Sequence, residues 1–594
     1  MKTETKTHLV SSMQACQNCK KDFVIESEDF SFYEKMQVPP PTFCPDCRFQ
    51  RRLVFRNNRV FYKRECALCK KSVLAVYNNE KPYIVYCREC WLSDKWDPID
   101  YGMDYDFSKP FFEQFRELQV RVPRANLYQT NFISSDYCSY GIDFKECYLL
   151  FGGYNNERIY FANQVFDSRD SMDISFCEKI EFSYGLFECK RTNKLFFSHH
   201  SVDCVDSYYL IDCKNCMNCF GCTGLVNKQY YIFNKSYSRE DYLDFIKSND
   251  LGSFKLHVKN LQNLKDLELS TPHKYAHVYQ SINSDGDDLS EARNTHYAFS
   301  SRQTEDSKFL FFCRHGSKDC YDVSFLGFNA ELVYENCHGF GGNNVAFGTR
   351  NLNNQDARYN EECHDCKDIF GCEGLLKKSY CILNKQYSKE EYKELLPKII
   401  KHMEEMPYVD KKKKIYKYGE FFPSELSPFT YNETIAQEYF PLSKEEALKQ
   451  GYLWEDCEER NYKIDIENED IPDNISEVGE DIVGKVIACE HSGKCKDQCT
   501  EAFKIVPEEL KFYKRMNLPL PRLCPNCRHY QRIGLRNPLK LWNRTCMCGS
   551  SNSPSTTAKH FHGTEKCDVE FKTTYAHDRP EIVYCEKCYQ QEIY

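Results

Sequence analysis

Residues 216–242 read CMNCFGCTGLVNKQYYIFNKSYSREDY, and residues 366–392 read CKDIFGCEGLLKKSYCILNKQYSKEEY. The two stretches start 150 residues apart and share a Phe-Gly-Cys step, an Asn-Lys step and a closing acidic-Tyr step, so the middle of the chain is an internal duplication. Strand-like bursts run outward from each stretch. In the second copy they centre on Phe309, Tyr321, Leu332, Val345, Ala357, Ile369 and Tyr380, with steps of 11 to 13 residues. In the first copy they centre on Tyr148, Tyr160, Met172, Phe182, Leu195, Tyr208, Cys219 and Tyr230, with steps of 11 to 13, or 10 at the closest. Asn, Asp, Ser, Gly and Cys fill the corners, and no two-residue hairpin turn recurs. This predicts a mainly β protein whose centre is a duplicated, right-handed β-helix-like solenoid rather than a sandwich or propeller. Each coil would use two bursts, about 24 residues. Cys, Tyr and Asn would then form inward stacks and ladders.

Each copy closes on a helix signal. Ser238 with Asp241, and Ser388 with Glu391, have the spacing of capping boxes, and such helices would cap the solenoid ends. Ser443 opens another helix, the lysine run Lys411–Lys414 reads as a solvated linker, and the acidic stretch 467–481 reads as a linker to the last segment. Cys213, Cys216, Cys219 and Cys222 form CxxCxxCxxC, the spacing of an iron–sulfur ligand run. The second copy keeps Cys363, Cys366 and Cys372 but puts Ile369 where the first has Cys219. On strands, alternate side chains diverge, so these are read as buried structural thiols.

The chain has 594 residues, 35 of them cysteine. The start, MKTETKTHLV, lacks the apolar run of a signal peptide, and no window approaches the ~18 apolar residues of a membrane span, so a soluble, cytoplasmic protein is expected. In a reducing compartment, cysteines at CxxC spacing serve as metal ligands rather than disulfides, with zinc the default. Cys16 and Cys19 with Cys44 and Cys47 supply four thiolates in two knuckles, and Cys66 and Cys69 with Cys87 and Cys90 supply four more across VLAVYNNEKPYIVYC, which reads as a β-hairpin. The C-terminal segment repeats this plan: Cys524, Cys527 and Cys546 each lie 480 residues after Cys44, Cys47 and Cys66, and Cys585 and Cys588 follow Cys87 and Cys90 by 498. Lys496 stands where Cys16 would, so Cys495 and Cys499 are expected to complete the first C-terminal site, with Cys489 a spare. Cys546, Cys548, Cys567, Cys585 and Cys588 compete for four places in the second. About four Zn2+ are expected, two per end.

Charge is segregated. Residues 44–71 carry nine Lys or Arg against two acids, and residues 511–544 carry nine against none, which in a chain of net charge −9 leaves −25 on the remainder. Arg48, Arg52 and Arg56, and again Arg528, Arg532 and Arg536, are spaced i, i+4, i+8, one cationic stripe if helical. Arginine binds phosphate, and Phe49, Phe55, Phe61 and Tyr62 are placed to stack on unpaired bases, which predicts RNA, DNA or a ribonucleoprotein as partner. Alternatively, the arginines neutralise the thiolate clusters or pair with the acidic body.

The segment CQNCKKDFVIESEDFSFYEKMQVPPPTFCPDCRFQRR, residues 16–52, resembles the small zinc-ribbon family built as CxxC, Phe, an acidic-aromatic-Tyr stretch, a Pro-rich approach and CPxCR. The match covers about 37 residues at each end, with the first C-terminal knuckle irregular. The whole chain also resembles large uncharacterised Cys-rich proteins of uncultivated candidate bacterial lineages that begin and end with such fingers. These resemblances imply metal binding and no reaction.

Five segments follow: a double finger module (1–125), solenoid copies at 126–250 and 251–410, a linker with a helix (411–484) and a second double finger module (485–594). No phosphate loop, HExxH or nucleophile elbow is present, and no catalytic residue is assigned; His199 with His200, and Cys313 with His315, are read as structural. Three functions are weighed: nucleic-acid binding by arginine-bearing fingers held on a rigid solenoid, a protein-binding scaffold whose zinc sites are structural, and an enzyme with a site in the solenoid groove.

Overall fold

A computed structural model describes residues 11–456, 461–549, 558–563 and 565–593. The fold is mainly β, dominated by a nine-stranded and a ten-stranded sheet, with twelve α-helices among the described residues. It divides into two compact units, each discontinuous in sequence. One joins residues 11–127 to His277–Asp456, and the other joins Tyr128–Ala276 to the described residues beyond 460. Each cysteine-rich end therefore belongs with the repeat copy farther from it in sequence.

Both large sheets are parallel throughout, except for a closing antiparallel strand, Lys235–Ser236 in one and Lys385–Gln386 in the other. Their register is short. Ile142 pairs with Tyr154, Met172 with Tyr184, Phe196 with Tyr208 and Phe220 with Ile232, each twelve residues on. Parallel neighbours lie ~4.8 Å apart, so the chain comes back onto itself every twelve residues. The expected 24-residue repeat is thus corrected: one burst, not two, separates paired strands, and each such step of about twelve residues is termed a circuit. In the second copy two steps are thirteen, Thr304 to Ser317 and Lys318 to Glu331.

A three-residue period lies inside the twelve. From Asn131 to Phe233 every third residue has positive φ, between 45° and 85°. From Asp288 to Leu383 the second copy keeps this step but skips a residue after His315 and again after Phe328, at the two thirteen-residue circuits. The residue following each such corner points inward: Ile159, Ala162, Val165, Ile174, Cys177, Ile180, Leu186, Cys189 and Leu195 all lie in one buried core. Left-handed backbone costs a non-glycine residue ~1–2 kcal/mol. Ladders between corner residues one circuit apart offset that cost, as in Asn131 to Asp143 (3.0 Å), Arg158 to Asp170 (2.8 Å) and Asn215 to Asn227 (2.7 Å). Phe347 and Tyr359 stack at 4.6 Å in the same way.

A circuit this tight leaves amides facing its interior, and small polar side chains satisfy them. The Ser183 hydroxyl donates to the Glu181 carbonyl (2.8 Å) and accepts from the Leu195 amide one circuit on (3.1 Å). Ser168, Ser198 and Ser207 serve Ile180, Leu210 and Cys219 likewise. Asn354 accepts from the Cys366 amide (2.9 Å) and donates to the Cys363 carbonyl (2.8 Å). Cysteine does half of this work: the Cys213 thiol donates to the Cys222 carbonyl and the Cys216 thiol to the Leu225 carbonyl, each nine residues ahead. CxxCxxCxxC is therefore the inward column of the three-residue period, and Ile369 replaces Cys219 because both occupy one fully buried place.

The capping expectations match the structure. Ser388 and Glu391 form a complete box at the start of Lys389–Glu405, and the Ser238 hydroxyl accepts from the Asp241 amide at the start of Arg239–Ser248. Tyr242 of the latter helix packs on Phe220 and Ile232 of the last circuits. The 467–481 stretch, expected as a linker, instead places Ile471, Ile475 and Val478 in the core of its unit. No helix among the described residues is long and apolar enough to cross a membrane.

Ser183→Ala should strand the Leu195 amide in the interior and destabilise this unit by ~1–3 kcal/mol, a lowered urea midpoint with unchanged far-UV circular dichroism at zero denaturant.

Candidate metal centres and the arginine helices

All four terminal cysteine sets are built alike. In the first, the strands Ser12–Ala15 and Asp22–Ile25 pair, and the turn between them carries Cys16 and Cys19, closed by left-handed Lys20 (φ 63°). Cys44 is the N-cap of the helix Pro45–Leu53, and Cys47 lies in its first turn. The Cys44 amide donates to the Cys16 sulfur (3.2 Å), and Asn18 donates to the Cys47 sulfur (3.3 Å). The second set repeats this with the hairpin Tyr62–Glu65 and Ser72–Ala75, Lys70 at φ 66°, and Cys87 capping Arg88–Trp91. Its Cys87 amide donates to the Cys66 sulfur (3.2 Å). The expected hairpin across residues 73–87 does not form, because Val85–Tyr86 pairs in parallel with Arg124–Ala125 instead.

Four metal–sulfur bonds of ~2.3 Å at tetrahedral angles set sulfurs ~3.8 Å apart, against ~2.05 Å in a disulfide. Cys19 and Cys44 lie 3.7 Å apart, and Cys69 and Cys87 lie 3.8 Å apart. The described cysteines are all free thiols. Hydrogen bonds from the Cys44 and Cys47 thiols pull Cys16 down toward thiolate. At Cys66, burial is outweighed by the amides of Cys69, Cys87 and Leu68, which bring the thiol down to about 6. Both sets could hold a metal ion.

The first C-terminal set departs from expectation. Its compact group is Cys489, Cys499, Cys524 and Cys527. Cys489 takes the place of Cys16: it follows the strand Ile487–Ala488, and the Cys524 amide donates to its sulfur at 3.2 Å. Residues 490–498 loop out between the knuckle cysteines, which hid the equivalence in the sequence. Cys495 lies on this loop with its sulfur 3.7 Å from that of Cys527, beside the group as a fifth thiol. The last set is Cys546, Cys567, Cys585 and Cys588, with the Cys585 amide donating to the Cys546 sulfur (3.2 Å). Cys548 joins a second group with His560, His562 and Cys588. The histidines were not read from the sequence; the His-x-His pair inside the insertion before Cys567 was the signal.

The arginine stripes form and face inward. Arg48 and Arg52 on Pro45–Leu53 share one buried carboxylate, Asp322, at 2.8 and 3.0 Å. Beyond the helix end, Arg56 lies over the Phe325 ring (3.9 Å) against His338. Arg51 pairs with Glu335 (2.9 Å) and Glu420 (3.0 Å). In the other unit Arg528 and Arg532 share Asp173 at 2.6 and 2.5 Å, and Arg536 pairs with Glu188 at 3.0 Å. Arg48, Arg52, Arg56, Arg528 and Arg532 are buried, and the Arg536 side chain is 5% exposed. As placed, these guanidinium groups turn to the sheets, five of them to carboxylates, which is the pairing with the acidic body offered as the alternative to a nucleic-acid stripe. The aromatic neighbours are occupied too: Phe49 packs between Phe311 and Phe440, and Phe55 against Phe421 and Phe422.

Asp173, Glu188, Asp322 and Glu335 are all left-handed corner residues. The same logic recurs at Arg124, which sits between Glu361 (2.8 Å) and Glu373 (3.1 Å) on adjacent circuits. Glu362 differs: it is buried, and neither carboxylate oxygen has a hydrogen-bond partner among the described residues. Burial pushes it up to about 7 against the pull of Arg350, Arg88 and Arg124. Cys313 and His315 do not form a pair: the Cys313 thiol donates to the Phe311 and Val323 carbonyls, burial pushes it up to about 12, and the His315 ring stacks on Phe328.

No protein-family model matches the chain, and comparison with curated proteins returned no match.

Removing a shared carboxylate takes the closest anion from two buried guanidinium groups, leaving Arg52 with Glu335 at 3.9 Å and Arg528 with Glu509 at 3.2 Å. Asp322→Ala should destabilise its unit by ~3–5 kcal/mol and expose the 16–56 segment to limited proteolysis, and Asp173→Ala should do the same for 489–536. For Glu362 the folded state holds the proton more tightly than the unfolded chain, so its unit loses stability as pH rises from about 4.5 to about 7. Glu362→Gln should therefore stabilise by ~3 kcal/mol at pH 8 and leave stability unchanged near pH 4, measured by chemical denaturation.

Proposed function

We propose that the protein is a zinc-dependent binding scaffold: a duplicated β-solenoid whose outer faces receive another protein, held in shape by terminal fingers in which Zn2+ is structural. The observation that carries this reading is the pairing of Arg48 and Arg52 with Asp322, and of Arg528 and Arg532 with Asp173. It commits the most basic segments to the sheets instead of to an outside ligand. All-sulfur, closed tetrahedral sets favour zinc over harder cations, and a cation there supplies only cross-linking, with no open position for chemistry. The twelve-residue register supports the solenoid, because a chain that pairs with itself at a fixed offset advances along one axis.

Supporting contacts are extensive at both docks. Phe32 stacks on Tyr321 at 3.9 Å in one unit, and Phe512 and Tyr513 pack with Met172, Tyr184 and Phe196 in the other. A finger clamped this way acts as a brace on its sheet. Zinc binding then contributes directly to folding, at ~10–16 kcal/mol per site in isolated finger peptides.

Purified protein should contain at least four zinc ions per chain, and chelation should unfold the terminal modules before the sheets, seen as loss of hydrogen-exchange protection around Cys16 and Cys524 first. On immobilised RNA or duplex DNA, retention should be weak and nearly independent of salt. Tight retention that falls steeply between 50 and 200 mM salt would overturn the scaffold reading in favour of nucleic-acid binding.

A further inference from the structure

The 18-residue insertion that turns Cys66-x2-Cys69 into Cys546-x20-Cys567 brings in Cys548, His560 and His562. These three converge on Cys588, which also belongs to the set of Cys546, Cys567 and Cys585. Resting on the zinc reading above, we propose that the last finger is a two-metal centre, in which the Cys588 thiolate bridges a sulfur-only site and a second site completed by Cys548, His560 and His562.

The ring orientations carry the argument. His560 turns Nδ1 to the Cys548 sulfur while Nε2 meets the Glu592 carboxylate at 2.8 Å. A carboxylate accepts only, so the His560 proton sits on Nε2 and the Nδ1 lone pair faces the sulfur. His562 turns Nε2 to the sulfurs of Cys548 (3.5 Å) and Cys588 (3.4 Å), while Nδ1 meets the Glu565 carbonyl at 2.7 Å. That carbonyl also only accepts, so the Nε2 lone pair faces the sulfurs. Two nitrogen lone pairs and two sulfurs thus converge within 4.8 Å of one another. Histidine held from behind by a carboxylate or carbonyl is the usual support of a metal-ligating ring. Two sulfurs with two imidazoles suit a tetrahedral, borderline-soft divalent ion of the zinc class.

Charge favours the pair as well. One divalent ion on four thiolates leaves a net −2, whereas two such ions on five thiolates and two neutral imidazoles leave −1. Cys588 is fully buried, and Cys548 is 4% exposed, so the second ion would relieve buried negative charge. The N-terminal counterpart spans only three residues from Cys66 to Cys69 and has no room for the extra ligands.

The test uses the full-length protein. Elemental analysis should give five zinc ions per chain, falling to four in the His560→Ala/His562→Ala variant with the rest of the fold intact by circular dichroism. Titration of chelated protein with Co2+ should show a loss of electron paramagnetic resonance intensity as neighbouring ions couple through the shared thiolate, and the double variant should lack that loss. Four ions in wild type and variant alike, or five with no magnetic coupling, would overturn the bridged centre while leaving the zinc reading standing. No bound metal at all would overturn the zinc reading itself.

Discussion

A chain that pairs with itself every twelve residues has room for only four inward side chains per circuit, and its interior amides have no water to turn to. Everything distinctive in the composition answers that constraint. Inward places take mostly Cys, Ser, Asn, Ala, Val, Ile or Leu, with Phe132, Phe144 and Tyr231 near the ends of the first copy, and the polar ones satisfy an amide of the next circuit. The Ser183 hydroxyl and the Asn354 carboxamide do this with two bonds each. Corner places take Asp, Asn and aromatic residues, which tolerate left-handed backbone or stack along the axis. Outward places such as Tyr321 and Tyr184, together with the acidic corners Asp322 and Asp173, form the surfaces on which the fingers dock.

Most of the plan was legible in the sequence, and what was missed has a physical cause. The duplication and the serine caps could be read directly, since a cap needs only a local hydroxyl. The circuit length was overestimated because hydrophobic bursts mark where aromatic side chains cluster, whereas the inward column is chemically mixed: Cys219 and Ile369 fill one place in the two copies. The three-residue period was in view as CxxCxxCxxC, whose cysteines were read as buried structural thiols, but its extension to the whole repeat was not seen because the other inward places hold chemically different residues. Cys489 was set aside because a looped insertion moved it out of CxxC register. The arginine spacing was read correctly, but its partners lie about 270 to 360 residues away, and linear charge patterns say nothing about which carboxylates fold against them.

The fingers and the sheets specify one another through buried charge. A lone guanidinium in such a place would be costly, and so would Asp322 or Asp173 without its two arginines. Alternative dockings that leave these groups unpaired are penalised, so the ion pairs act chiefly on register and orientation. The aromatic contacts beside them, such as Phe32 on Tyr321, supply the apolar burial that favours association.

A metal ion held by the first cysteine set would be coupled to the ion pairs through one short helix. Cys44 caps Pro45–Leu53 and Cys47 lies in its first turn, so a cation held by the four sulfurs fixes the helix start and its axis. Arg48 and Arg52 then follow at one and two turns, on the face that meets Asp322. The helix dipole favours thiolates at this end, and the arginines sit down-axis where that field has faded. Loss of the cation would free the helix start, and two buried salt bridges would have to be held by the sheet contact alone. The C-terminal helix Pro525–Ile533, with Cys524 as cap and Arg528 and Arg532 on Asp173, has the same construction, so each end of the chain ties a cysteine set that could hold a metal ion to the register of a sheet distant in sequence.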